Sequence, residues 1–114
     1  VIDTAEMLAP QPPPTGNGRS VTDLALERIE HPFCRELLLA RRQQGIERYG
    51  TELRTGNGRC TKADLLQELV DGLIYAVLLE HEVGPGMVPG YVEDLLEIVV
   101  DLVDWWPDLA ASQP

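Results

Sequence analysis

The stretch "ADLLQELVDGLIYAVLLEHE", residues 63–82, decides the fold. Between Leu65 and Leu79 nearly every residue is apolar, which predicts a long helix buried on most of its circumference. Thr61 with Asp64 forms a capping pair that starts this helix, and "VGPGMVPG" breaks it after about Glu82. Three polar side chains stand inside the apolar run: Gln67, Glu68 and Asp71. Glu68 and Asp71 are three residues apart and share one face, and Asp64 and Tyr75 extend that stripe by a turn each way.

Working outward, strand signals are almost absent and helix signals recur. Ser20 followed by Asp23 opens a short helix through Leu24, Leu26 and Ile29. Pro32 interrupts it and suits the first turn of a second helix, about Phe33 to Tyr49, which Gly50 can end. A final helix, about Tyr91 to Trp106, sets Leu95, Leu96, Val99, Leu102 and Val103 on one side, and Pro107 stops it. The expected fold is all-α, an antiparallel bundle of three to four helices completed by oligomerisation. Residues 1–19, with Pro10, Pro12, Pro13 and Pro14, read as a flexible tail. Residues 20–107 read as the helical domain, and 108–114 as a second tail. That leaves about 85–90 residues for the fold, a size at which a second chain often completes the core.

The net charge of −10 argues against a nucleic-acid polymer as partner and against a polybasic membrane surface. No apolar run reaches the roughly 18 residues of a membrane span. Cys34 and Cys60, without a signal peptide, read as reduced thiols, and a cytoplasmic location is expected.

Two ionised carboxylates inside an apolar run are costly unless something offsets them. An arginine partner would do so, a Mg²⁺ ion would do so, and a narrow solvated face would avoid the cost. Gln44 and Glu47, also three apart, could turn from the second helix toward Glu68 and Asp71, giving three carboxylates and an amide around one cavity. Gly45 beside them costs helix stability and suggests a close helix approach.

These residues carry a resemblance. "QGIE" at 44–47 and "ELVD" at 68–71 resemble the Glu-x-x-Glu and Glu-x-x-Asp motifs of the all-α nucleotide pyrophosphohydrolases, the MazG-like family. The wider string "RQQGIERYGTELRTGNGR…DLLQELVDGLIYAVLL" is similar to the short phage and actinobacterial members, over about Arg41 to Leu79. The resemblance implies Mg²⁺-dependent (or Mn²⁺-dependent) hydrolysis of a nucleoside triphosphate to the monophosphate and pyrophosphate by a homodimer or homotetramer. It implies that Glu47, Glu68 and Asp71 are the catalytic metal ligands. Arg48, Arg59 or Lys62 would contact phosphates, and Tyr49 or Tyr75 would border the base. Gln44 and Gln67 depart from the pattern, each standing where the family carries a glutamate. Two lost charges favour an alternative, a protein that holds a nucleotide without cleaving it. A third reading is a helical adaptor whose carboxylates pair with arginines.

The string "TGNGR" occurs twice, at 15–19 and 55–59. The second copy joins the two motif helices, and its Gly56-Asn57-Gly58 turn with Arg59 suits a phosphate or a partner loop at a helix N-terminus. The first copy reads as coincidence, or as a tail that docks near a neighbour's site. Asp94, Glu97, Asp101 and Asp104 read as a solvated face, and Trp105 with Trp106 as an anchor against another chain.

Overall fold

In the computed structural model, which describes residues 3–109, the chain is all-α. Helices α1 (Thr4–Met7), α2 (Val21–Leu26), α3 (Pro32–Tyr49), α4 (Thr61–Val83) and α5 (Tyr91–Leu109) follow in order, with a 3₁₀ turn at Pro85–Met87. No strand forms among the described residues; one isolated bridge pairs Ser20 with Arg54. No helix among them is long and apolar enough to cross a membrane.

Most boundaries follow their local chemistry. The Ser20 hydroxyl accepts from the Asp23 amide, as a capping pair does. Pro32 opens α3 at a position whose N–H would have no helical partner anyway. Gly50 closes it in the left-handed region (φ 79°), its N–H donating to the Ile46 carbonyl. Three boundaries differ from expectation. Helix α2 stops at Leu26, where the Arg35 guanidinium donates to the Leu26 and Ile29 carbonyls and takes over the helix end. Thr61 lies inside α4 rather than capping it; the cap is Cys60, whose own amide donates to Gln11 Oε1 at 2.8 Å. Pro107 lies within α5, since a missing N–H so close to the helix end leaves only one carbonyl of the preceding turn unpaired.

The chain forms two units. One, the hairpin unit, joins Val1–Gln11 with Cys60–Pro114; the other, the inserted unit, is Pro12–Arg59. In the hairpin unit α4 and α5 run antiparallel, so that Lys62, in the first turn of α4, lies against Trp106, in the last turns of α5. Met7, Ala63, Leu66 and Trp106 are buried together, with Cys60, Val70, Val99, Leu102 and Val103 packed around them. Met7 comes from the stretch that composition assigns to a flexible tail. One methionine among prolines gives no periodic signal, yet the segment is held: Gln67 Nε2 donates to the Met7 and Ala9 carbonyls, both at 3.1 Å. A glutamate at position 67 has no N–H to donate, so this clasp requires the amide. At the other end, residues 110–114 of the expected C-terminal tail lie outside the described residues.

The inserted unit packs α2 on α3 but buries no apolar side chain below the level of partial exposure. Polar contacts hold it instead. Glu52, 15% exposed, accepts from the Ser20 hydroxyl and lies 3.6 Å from both Arg42 and Arg54, while Arg42 also pairs with Asp23 at 2.8 Å. The two TGNGR copies pair with each other inside this unit. The Thr15 amide donates to the Asn57 carbonyl, and the Thr55 amide to the Arg19 carbonyl, both at 2.9 Å. The backbones approach so closely that a Cβ on Gly16 would sit 2.5 Å from the Gly56 carbonyl oxygen. The repeat is therefore a self-pairing loop rather than a coincidence.

Candidate functional site

Helix α4 presents two different faces. Lys62, Ala63 and Leu66 are buried, and Val70 packs with them toward α5 and α1. On the opposite side Leu65, Glu68, Asp71, Tyr75, Leu78 and Leu79 recur at helical spacing, and all are exposed. Within this chain the expected burial on most of the circumference is therefore not met. Leu65 is 50% exposed, Ile74 60% and Tyr75 69%. Glu68 and Asp71 stand one turn apart in this apolar surround, and among the described residues neither has an ion-pair or hydrogen-bond partner. An arginine partner, the simplest structural explanation for the pair, is not what holds them.

The other expected site residues divide into exposed and committed groups. On α3, Gln44, Glu47, Arg48 and Tyr49 are exposed. Gln44 accepts from Arg41, Glu47 accepts from Gln43 at 3.4 Å, and the Arg48 guanidinium lies 5.2 Å from the Tyr49 ring centroid. A Cβ at Gly45 would meet nothing within 4 Å, so no close helix approach accounts for that glycine. Glu47 belongs to the inserted unit, Glu68 and Asp71 to the hairpin unit. Among the described residues no three His, Cys, Asp or Glu side chains gather to hold one ion.

Asn57, Arg59 and Lys62 have structural work instead. The Asn57 carbonyl takes both donors of Thr15, and its side-chain oxygen accepts from the Arg59 amide. Arg59 donates to the Pro12 carbonyl at 2.7 Å. Lys62 corrects its expected role as a phosphate contact. It is buried, its ammonium 4.4 Å from the Trp106 ring centroid and 3.5 Å from the Trp106 carbonyl. A cation over a desolvated indole is worth up to about 2 kcal/mol, and a donor at a helix C-terminus complements the dipole. That position serves packing between α4 and α5. The two tryptophans also separate: Trp106 is core, and Trp105 is 64% exposed.

Gln67 is the residue whose role sequence reasoning missed. Its partners lie about 60 residues away, so only the folded chain reveals them. Compared with known proteins, the chain matches no family model, no curated protein and no solved structure.

Proposed function

We propose that the outward face of α4 is the metal-binding part of a nucleoside triphosphate pyrophosphohydrolase of MazG-like type. The observation that carries this reading is the Glu68–Asp71 pair, two carboxylates on one helical face, set among exposed apolar residues and, among the described residues, without a cationic partner. Hard oxygen ligands without a paired charge suit Mg²⁺, which takes only a few carboxylates and completes its shell with water and substrate phosphates. Glu68 and Asp71 would hold the ion. A bound Mg²⁺ supplies charge neutralisation on the triphosphate and a water of lowered pKa. Tyr75, one turn beyond Asp71 and exposed, offers a ring to the base, and Arg48 offers a charge to the phosphates.

The same reading includes a homodimer or homotetramer. Leu65, Ile74, Leu78 and Leu79 are each about half exposed, so covering the remainder would return about half of the roughly 1.5–3 kcal/mol of a full burial per side chain, which favours burial against a second copy and a completed bundle. One observation favours the alternative of binding without turnover. The Gln67 amide is clasped to the N-terminal segment, so that position adds no carboxylate beside Glu68.

Product analysis tests the proposal. Purified protein is incubated with Mg²⁺ and a panel of NTPs and dNTPs beside Glu68→Ala. Monophosphate and pyrophosphate from the wild type alone are expected. Absence of turnover, with Mn²⁺ also tried, while equilibrium dialysis still detects a bound nucleotide, would turn the conclusion to the non-catalytic alternative.

A further inference from the structure

Charge is divided unevenly along the chain. The hairpin unit carries thirteen of the nineteen acids and one of the nine basic residues, and that one, Lys62, is buried. Its surface therefore presents carboxylates with no lysine or arginine among them. On α5 these carboxylates are ordered. Tyr91, Ile98 and Trp105 are spaced by seven, and Asp94 and Asp101, also spaced by seven, alternate with them. All five are exposed, on a flank of α5 beside the packed residues Val99, Leu102, Val103 and Trp106. Three-and-four spacing along one face is the geometry of a coiled-coil seam, here with an apolar residue and an aspartate in each heptad.

We infer that this outward face of α5 is a docking surface for a basic amphipathic helix that carries one apolar and one Lys or Arg seam residue per heptad. Charge argues against a second α5 as the occupant. A second copy of α5 in parallel would set Asp94 against Asp94 and Asp101 against Asp101. In antiparallel it would press each carboxylate onto Tyr91, Ile98 or Trp105 with nothing to pair it, which is strongly unfavourable. The hairpin unit has no exposed lysine or arginine to relieve either arrangement. A partner with Lys or Arg at the positions facing Asp94 and Asp101 pairs both charges, and its apolar residues cover Ile98 and Trp105. Glu97 and Asp104, exposed beside the seam, then act on the approach of a basic partner rather than within the contact. The α4 face differs: its two carboxylates lie in a wide apolar surround, whereas on α5 charge recurs through the whole seam. This inference is independent of the proposed hydrolase activity.

The test uses the full chain and three synthetic three-heptad peptides. One has Leu at the first and Lys at the fourth position of each heptad, one has Glu for Lys, and one has the Leu/Lys composition scrambled out of heptad order. Calorimetric titration is expected to show the ordered Lys peptide binding at least about tenfold tighter than the scrambled one and weakening with salt. The Asp94→Lys/Asp101→Lys variant, checked for unchanged helicity by circular dichroism, is expected to reverse the preference toward the Glu peptide. Equal binding of ordered and scrambled Lys peptides would reduce the effect to bulk charge and overturn the inference. So would oxidation of a Cys34→Ser/Trp105→Cys variant to a dimer whose disulfide is mapped to position 105 on both chains, which would mean that a second copy occupies the face.

Discussion

Each of the two units of this chain is stabilised internally by different physics. The hairpin unit buries Met7, Ala63, Leu66, Val88 and Trp106, and carries thirteen of the nineteen acids. The inserted unit buries no large apolar side chain and carries eight of the nine basic residues. It relies on Glu52 with its three partners and on two identical loops paired backbone to backbone. The difference teaches that helix content alone says little about where stability resides. Helix α3 is 18 residues long with none buried, so it gains little from tertiary packing and depends on its caps and its guanidinium contacts.

Substitutions can sharpen or break this contrast. Leu66→Ala should have the largest effect, a loss of about 3 kcal/mol, because it opens a cavity in the apolar core of the hairpin unit. Urea unfolding measures it; a loss below about 1 kcal/mol would mean that the core is not centred there. Glu52→Ala should cost about 2 kcal/mol by stranding Arg42, Arg54 and the Ser20 hydroxyl. Native-state hydrogen exchange should then report faster exchange within residues 12–59 while α4 and α5 keep their protection. Equal acceleration in both units would break the division. Gly45→Ala should act the other way and stabilise by about 0.5–1 kcal/mol, since it lies inside α3 with free space for a methyl group. A destabilised Gly45→Ala would indicate that a partner chain packs on α3 at that point.

Local chemistry was legible in the sequence, and long-range pairing was not. Ser20 with Asp23, Pro32 and Gly50 fix helix ends through residues within one turn of themselves. Cys60 caps α4 without a side-chain bond, and its amide instead finds Gln11, 49 residues away, so nothing local distinguishes it from Thr61, the more familiar capping residue. The TGNGR repeat was visible as a repeat, but only the fold brings its copies together. At the candidate site, Glu68 and Asp71 share a face because helical spacing demands it. Their exposure was not legible, because a dense apolar run reads the same whether its cover is this chain or another. Lys62 reads as surface charge in any sequence; its burial depends on Trp106, at the far end of α5.

The central claim is that, of all the carboxylates on the hairpin unit, Glu68 and Asp71 are the pair that takes a divalent ion. Substoichiometric Mn²⁺ titrated into isotopically labelled protein reads this directly, because amide resonances near the bound ion broaden. The account predicts selective broadening around Glu68, Asp71 and Tyr75 that Mg²⁺ competes away and Asp71→Asn abolishes. Broadening spread along Asp94, Glu97, Asp101 and Asp104, and unchanged in Asp71→Asn, would contradict it.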